Sequence, residues 1–227
     1  MSPGAPTRRV AALGVLGSLI GGGLLARAAA PLTQPLPNGA SDDQLRFLDE
    51  AAGWNLPVLG RADAPLSLVL FFDYHCPFCR ALEPELPPLV AANPDLRVLF
   101  AEYPVLLPDS AIASRMALAA AAQGRYLPAH NWLFRVQGRY SARMVPELAA
   151  AIGADPGRLA MAMESPTIAR AIRRNLDAGQ WLGIDGTPAM LSALGEIEGA
   201  VPAPVLQRFV AAMRRAAAAG VTPRRPA

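Results

Sequence analysis

The sequence predicts an α/β domain interrupted by an all-helical subdomain, and three observations carry that expectation. Leu66–Phe72 (LSLVLFF) is a bulky apolar run bounded by Asp63-Ala64-Pro65 and Asp73, the signature of a buried central strand. A helical pattern follows at once, with Cys79, Leu82, Leu86, Leu89 and Val90 in step, and then a second strand over residues 97–103 (RVLFAEY), which makes a βαβ unit. Residues 109–178 then read as helix throughout, and strand character returns only after Gly186.

Taken in order, residues 1–28 read as an export signal: Arg8-Arg9, an uncharged stretch over 10–26, then Ala26-Arg27-Ala28 as a cleavage site. Thr7-Arg8-Arg9 also fits a twin-arginine signal. The alternative is a retained membrane anchor. The uncharged stretch sits at the short limit of ~17–25 residues for a span, and five glycines weaken its helix. Residues 29–55 are a Pro-rich linker and a short helix capped by Ser41. Residues 56–108 form the first part of the α/β frame, where Pro77 suits the first helical position and makes Cys76 the N-cap. Pro84 predicts a kink in that helix.

The segment 109–178 divides at its punctuation. Asp109 or Ser110 caps a helix that stops at Gly124, two more run over 128–136 and 141–153, and Asp155-Pro156 and Ser165-Pro166 each pair a cap with a proline at the first position. Ile168, Ile172 and Leu176 give the last of these one apolar face. Residues 179–218 complete the frame with a hairpin turning near Gly195 and a helix opened by Pro204, leaving 219–227 as a tail.

All 21 basic residues are arginine, which rules out lysine chemistry, and the formal charge is +3. Arg8, Arg9 and Arg27 account for that excess, because the remainder balances 18 basic against 18 acidic residues. No basic stripe marks the folded part, so nucleic acid is not an expected partner.

The chain has only two cysteines, Cys76 and Cys79, so an exported protein of this sequence has no disulfide framework and its pair is chemical. Thiol–disulfide exchange needs a thiolate to attack and a second thiol to resolve the mixed disulfide. A cysteine at a helix N-cap sits among free N–H groups and the positive end of the helix dipole, which lowers its pKa. Cys76 is then the exposed nucleophile and Cys79 the shielded resolver. Zinc shares the C-x-x-C spacing but needs two further ligands, and neither His75, adjacent to Cys76, nor the distant His130 suits, so no metal is expected.

FFDYHCPFC, EYPVLLPDSAIASRMALAA and LGIDGTPAM resemble the DsbA-like thioredoxin-fold oxidoreductases of bacterial envelopes, over roughly residues 55–215. The resemblance implies a thioredoxin frame interrupted by a helical domain and a cofactor-free exchange of disulfides. It further implies that Thr187-Pro188 is a cis peptide facing the redox pair, with Thr187, Pro188, Pro77 and Phe78 shaping the substrate site. The chain departs from the pattern where members carry a buried acid six residues before the first cysteine, for here the residue is Leu70. Asp73 either substitutes for it or caps a turn, and Glu102, on one strand face with Val98 and Phe100, is the other candidate. The dipeptide between the cysteines is Pro-Phe and lacks the histidine of the family's strongest oxidant, so His75 either tunes the thiolate from outside or is solvated or locally bonded. Phe78, Trp181 and Met190 are candidates for an apolar surface around the pair, with the core as the alternative for the last two.

The expectation is an oxidase in the periplasm or cell envelope, acting on unfolded or reduced exported proteins and serviced by a membrane redox partner. A reductase or isomerase is the rival within the same chemistry, because reductive members of the fold often carry Thr before the cis-proline. A non-catalytic chaperone or metal-handling module is the rival from another class. A monomer is expected, since the ~30 residues between the expected cleavage site and the first strand fall short of the ~50 at the lower end of domain size.

Overall fold

The computed structural model describes residues 1, 35–37 and 39–220; apart from Met1, the expected export signal lies outside the described residues, as does most of the tail. Helix α1, Asp42–Ala51, begins at a full capping box: the Gln44 amide donates to Ser41 Oγ at 3.2 Å, and the Ser41 amide donates to Gln44 Oε1 at 3.0 Å. Strand β1, Val58–Gly60, was not expected from the sequence, since three half-exposed residues carry no readable alternation. It joins the sheet only by pairing antiparallel with β3, Leu96–Glu102.

Strand β2, Leu66–Phe72, is central, parallel to β3 on one side and antiparallel to β4, Ala189–Ser192, on the other. Strand β5, Gly195–Glu198, pairs with β4 and closes the order β1-β3-β2-β4-β5. Because side chains alternate across a strand, β2 feeds two cores. Leu66, Leu68, Leu70 and Phe72 join one cluster, while Val69 and Phe71 join the other with Phe47, Leu48 and Ala51 of α1.

The helix after β2 is interrupted at Pro84. Helix α2, Pro77–Leu82, passes through a 3-10 turn at Glu83–Glu85 into α3, Leu86–Ala92. Pro84 lacks the N–H that would continue the α-helical ladder.

Between β3 and β4 lie α4 (Ser110–Ala121), α5 (Tyr126–Arg135), α6 (Val145–Ile152), α7 (Pro156–Met163) and α8 (Pro166–Trp181). Asp155 and Ser165 cap as expected, accepting from the amides of Arg158 and Thr167. Two expectations shift: α5 starts at Tyr126, and the third segment opens with a 3-10 turn at Ala142–Met144 before α6. Neither Asp109 nor Ser110 caps α4 through its side chain, because both are engaged elsewhere. The insertion shares its apolar cluster with the frame: Phe72 and Tyr74 lie in one core with Leu133 and Phe134 of α5. Helix α9, Ala203–Ala218, covers the same face through Val205, Leu206 and Phe209.

Candidate active site

The turn after β2 is built around Asp73, which is buried at the strand end. Its Oδ1 accepts from the His75 amide and from Ser110 Oγ, both at 2.8 Å, and its Oδ2 accepts from the amides of Val105 and Leu106, both at 2.9 Å. The carboxylate therefore ties the turn before Cys76 to the loop that leads into α4, and none of its donors is a cysteine. Cys76 follows in extended conformation (φ −70°, ψ 117°) as the N-cap of α2, with Pro77 at the first helical position. The Cys79 amide donates to Cys76 Sγ at 3.3 Å.

Across the site, the Thr187–Pro188 peptide is cis. Its carbonyl accepts a hydrogen bond from Cys76 Sγ at 3.1 Å. This contact corrects one expectation. Cys76 is not exposed but 2% accessible, because a loop 111 residues away in sequence closes over its sulfur. Cys79 is buried as well. The exposed members of the motif are Pro77 and Phe78, the latter at 62%.

The other proposed apolar residues separate. Met190 is fully buried within β4, and Trp181 ends α8 with the Arg46 guanidinium 4.6 Å from its ring centroid. Trp181 lines a groove of about 900 Å³ between α1, α4 and α8, which contains neither cysteine.

A family model for the DSBA-like thioredoxin domain matches residues 67–211, which span β2, both cysteines, the helical insertion and most of α9. The chain belongs to the DSBA-like thioredoxin domain family. A thioredoxin-like oxidoreductase from Silicibacter pomeroyi DSS-3 is similar at 35% identity and a TM-score of 0.68, covering 78% of this chain and 99% of that one. A periplasmic thioredoxin-like protein from Salmonella enterica serovar Typhimurium is similar at 30% identity and a TM-score of 0.65, covering 73% and 95%. Among curated proteins, the Na(+)/H(+) antiporter NhaA of Herminiimonas arsenicoxydans is 28% identical over 159 residues, 70% of this chain. The match spans only 25% of the antiporter's length. No helix among the described residues is long and apolar enough to cross a membrane.

In this DSBA-like chain the two sulfurs are electrostatically unequal. Hydrogen bonding from the Cys79 thiol pulls the Cys76 pKa down to about 6; burial opposes this, and the Thr187 side chain and the amides of Cys79 and Phe78 reinforce it. Burial pushes the Cys79 thiol far up, and the neighbouring Cys76 anion adds to that. The Thr187 hydroxyl is buried without a hydrogen-bond partner, yet it lies close enough to both sulfurs to favour their anions. It is a donor positioned for a thiolate.

Ultraviolet titration of the reduced protein is therefore expected to show one thiolate forming near pH 6 and exchange rates rising through the same range. An inflection at or above the free value of ~8.5 contradicts the assignment.

His75 and Glu102 are drawn elsewhere. His75 Nε2 lies 3.0 Å from Asp109 Oδ2, and its ring packs on Tyr140. Burial works to raise Asp109, but the Tyr140 amide and the His75 ring outweigh it and hold the carboxyl below its usual range. Glu102 is fully buried under the insertion, where its Oε1 accepts from Tyr74 Oη at 3.0 Å and Tyr126 Oη at 2.8 Å. Burial pushes its pKa up to about 7, while Ser114 and the two tyrosines pull the other way. Tyr74 Oη also meets His130 Nδ1 at 3.0 Å. With the tyrosine donating to Glu102, the histidine must donate from Nδ1, which leaves its buried Nε2 unpartnered. Burial drives His130 down to about 3. No carboxylate is hydrogen-bonded to Cys79 among the described residues. Sequence reasoning missed Asp109, Tyr140 and Tyr126, because each reaches its partner only through tertiary packing.

Proposed function

We propose that this chain is an envelope thiol–disulfide oxidoreductase that acts through Cys76 and Cys79, chiefly as an oxidase of reduced exported proteins. The observation that carries this reading is the asymmetry of the pair: a stabilised Cys76 anion beside a Cys79 held as a thiol. A thiol whose pKa lies below the ordinary free-thiol value stabilises the reduced form, and that stabilisation is lost as pH falls through about 6. A stabilised reduced form makes the disulfide the stronger oxidant.

In the forward reaction a substrate thiolate attacks Cys76 Sγ and breaks the Cys76–Cys79 bond. Cys79 leaves and takes up a proton. The second substrate thiolate then attacks the substrate sulfur of the mixed disulfide and releases the Cys76 thiolate. Two electrons pass from the substrate dithiol to the pair, and a membrane disulfide carrier accepts them to restore it. The cis Thr187–Pro188 peptide and exposed Phe78 flank the sulfur that the substrate must reach. Pro77 leaves the first position of α2 free of an N–H.

The protein works as a monomer, and its oxidant approaches Cys76 between the exposed Phe78 and the cis peptide. One feature favours reductase or isomerase activity instead: Thr187 precedes the cis-proline, as it often does in reductive members of the fold. Acid trapping and alkylation in cells decides between them. The oxidase reading expects Cys76 and Cys79 mainly as a disulfide in the envelope and a monomer by light scattering. A reduced pair in a stable dimer overturns it.

A further inference from the structure

We propose that Asp185, Glu196 and Glu198 select substrates whose exchanging cysteine is flanked by lysine or arginine, a reading that rests on the exchange function proposed above. A cavity of about 370 Å³ lies beside the redox pair, lined by Phe78, Thr187 and Pro188 on one side and by these three carboxylates on the other. That a polypeptide must lie here follows from the chemistry, independently of the acids. Cys76 Sγ is held against the Thr187 carbonyl, so a partner sulfur reaching it has to lay its neighbouring residues across Phe78, Thr187 and Pro188.

The carboxylates are fixed by the sheet. In β5, Glu196 and Glu198 fall on one face by strand alternation, while Ile197 between them enters the core. Glu198 pairs with Ala189, the residue after the cis-proline, and the Gly199 amide donates to the Pro188 carbonyl at 2.7 Å. Asp185 stands two residues before Thr187 on the same loop.

No arginine lines the cavity, and none of the three acids has an ion-pair partner among the described residues. Burial, then the charges of Glu198 and Asp185, push Glu196 above the usual carboxylate range. Such a cluster raises the energy of its own anions and lowers that of an incoming cation. A lysine or arginine side chain inserted beside Phe78 relieves the repulsion and rests its aliphatic stem on the ring. The overall balance of charge in the folded part means that this preference is local.

The test uses dithiol peptides identical except for lysine, glutamine or glutamate beside the cysteines, oxidised by the disulfide form of the full folded protein at low ionic strength. Charge-lined clefts raise encounter rates by ~10–1,000-fold, so the lysine peptide is expected to react about tenfold faster than the glutamate peptide. The ratio should shrink in added salt, which screens exposed charges beyond about 10 Å at 0.1 M. It should fall to about twofold or less in Glu196→Gln/Glu198→Gln and narrow in Asp185→Asn, whereas Glu147→Gln, on the surface of α6, leaves it unchanged. The salt series needs no variant, so a folding defect in the double substitution does not block the test. Equal rates for the three peptides in an active wild-type protein, or a ratio that survives the double substitution, overturn the selectivity. Failure to oxidise any peptide overturns the exchange function itself.

Discussion

Replacing Cys76 with serine is expected to abolish disulfide exchange, lowering the rate by at least about 10³-fold, because an alcohol near neutral pH offers neither the anion nor the sulfur the reaction requires. The matching Cys79→Ser variant should behave differently. Cys76 keeps its N-cap position and its bond to the Cys79 amide, which is a backbone group. It can still attack a substrate disulfide, but nothing resolves the product. Mixed disulfides joined through Cys76 should accumulate and be released by dithiothreitol. Serine keeps an O–H that can donate to the Cys76 anion in place of the Cys79 thiol, so the thiolate should still form below the free value of ~8.5. Insulin reduction and non-reducing electrophoresis read both outcomes. Activity at the parental level without Cys76 would sink the assignment of the pair.

The second large effect concerns stability and Glu102. Its carboxyl is raised from 4.5 in the unfolded reference to about 7 in the folded protein. Below pH 4 both states hold the proton and the full stability is present. As pH rises past 4.5 the unfolded chain releases its proton first, so stability drains away until the folded carboxyl ionises near 7. This one group then costs about 3 kcal/mol between the two limits. Glu102→Gln removes the titration while retaining an acceptor for Tyr74 and Tyr126. Denaturant unfolding should show the variant gaining on the parent from pH 4 to pH 8, with little difference at the acid end. If the two curves run parallel across that range, the carboxyl is not the titrating group. The variant also separates roles: Glu102 touches Tyr74 and Tyr126 rather than sulfur, so the Cys76 titration should move far less than the stability.

The parts of this protein that its sequence alone determines are those decided within a few residues of chain. The apolar run at Leu66–Phe72, the N-cap position of Cys76, the Ser41 capping box and the β4–β5 hairpin all rest on strand alternation, φ restriction or hydrogen bonds spanning at most four residues. The family was legible for the same reason, since its motifs are local strings. Strand β1 was not, because three residues at a sheet edge owe their conformation to β3 and carry no period of their own. The site shows the same division. The N-cap place of Cys76 could be read from spacing, but its burial depends on a carbonyl delivered by the loop before β4. His75 is claimed by Asp109, and Glu102 by tyrosines from the redox turn and from α5. Asp185, Glu196 and Glu198 meet only when β5 lies beside the cis-proline loop. The tertiary structure alone decides these contacts, because a side chain's partner across the core depends on how layers pack and leaves no periodic trace in the chain.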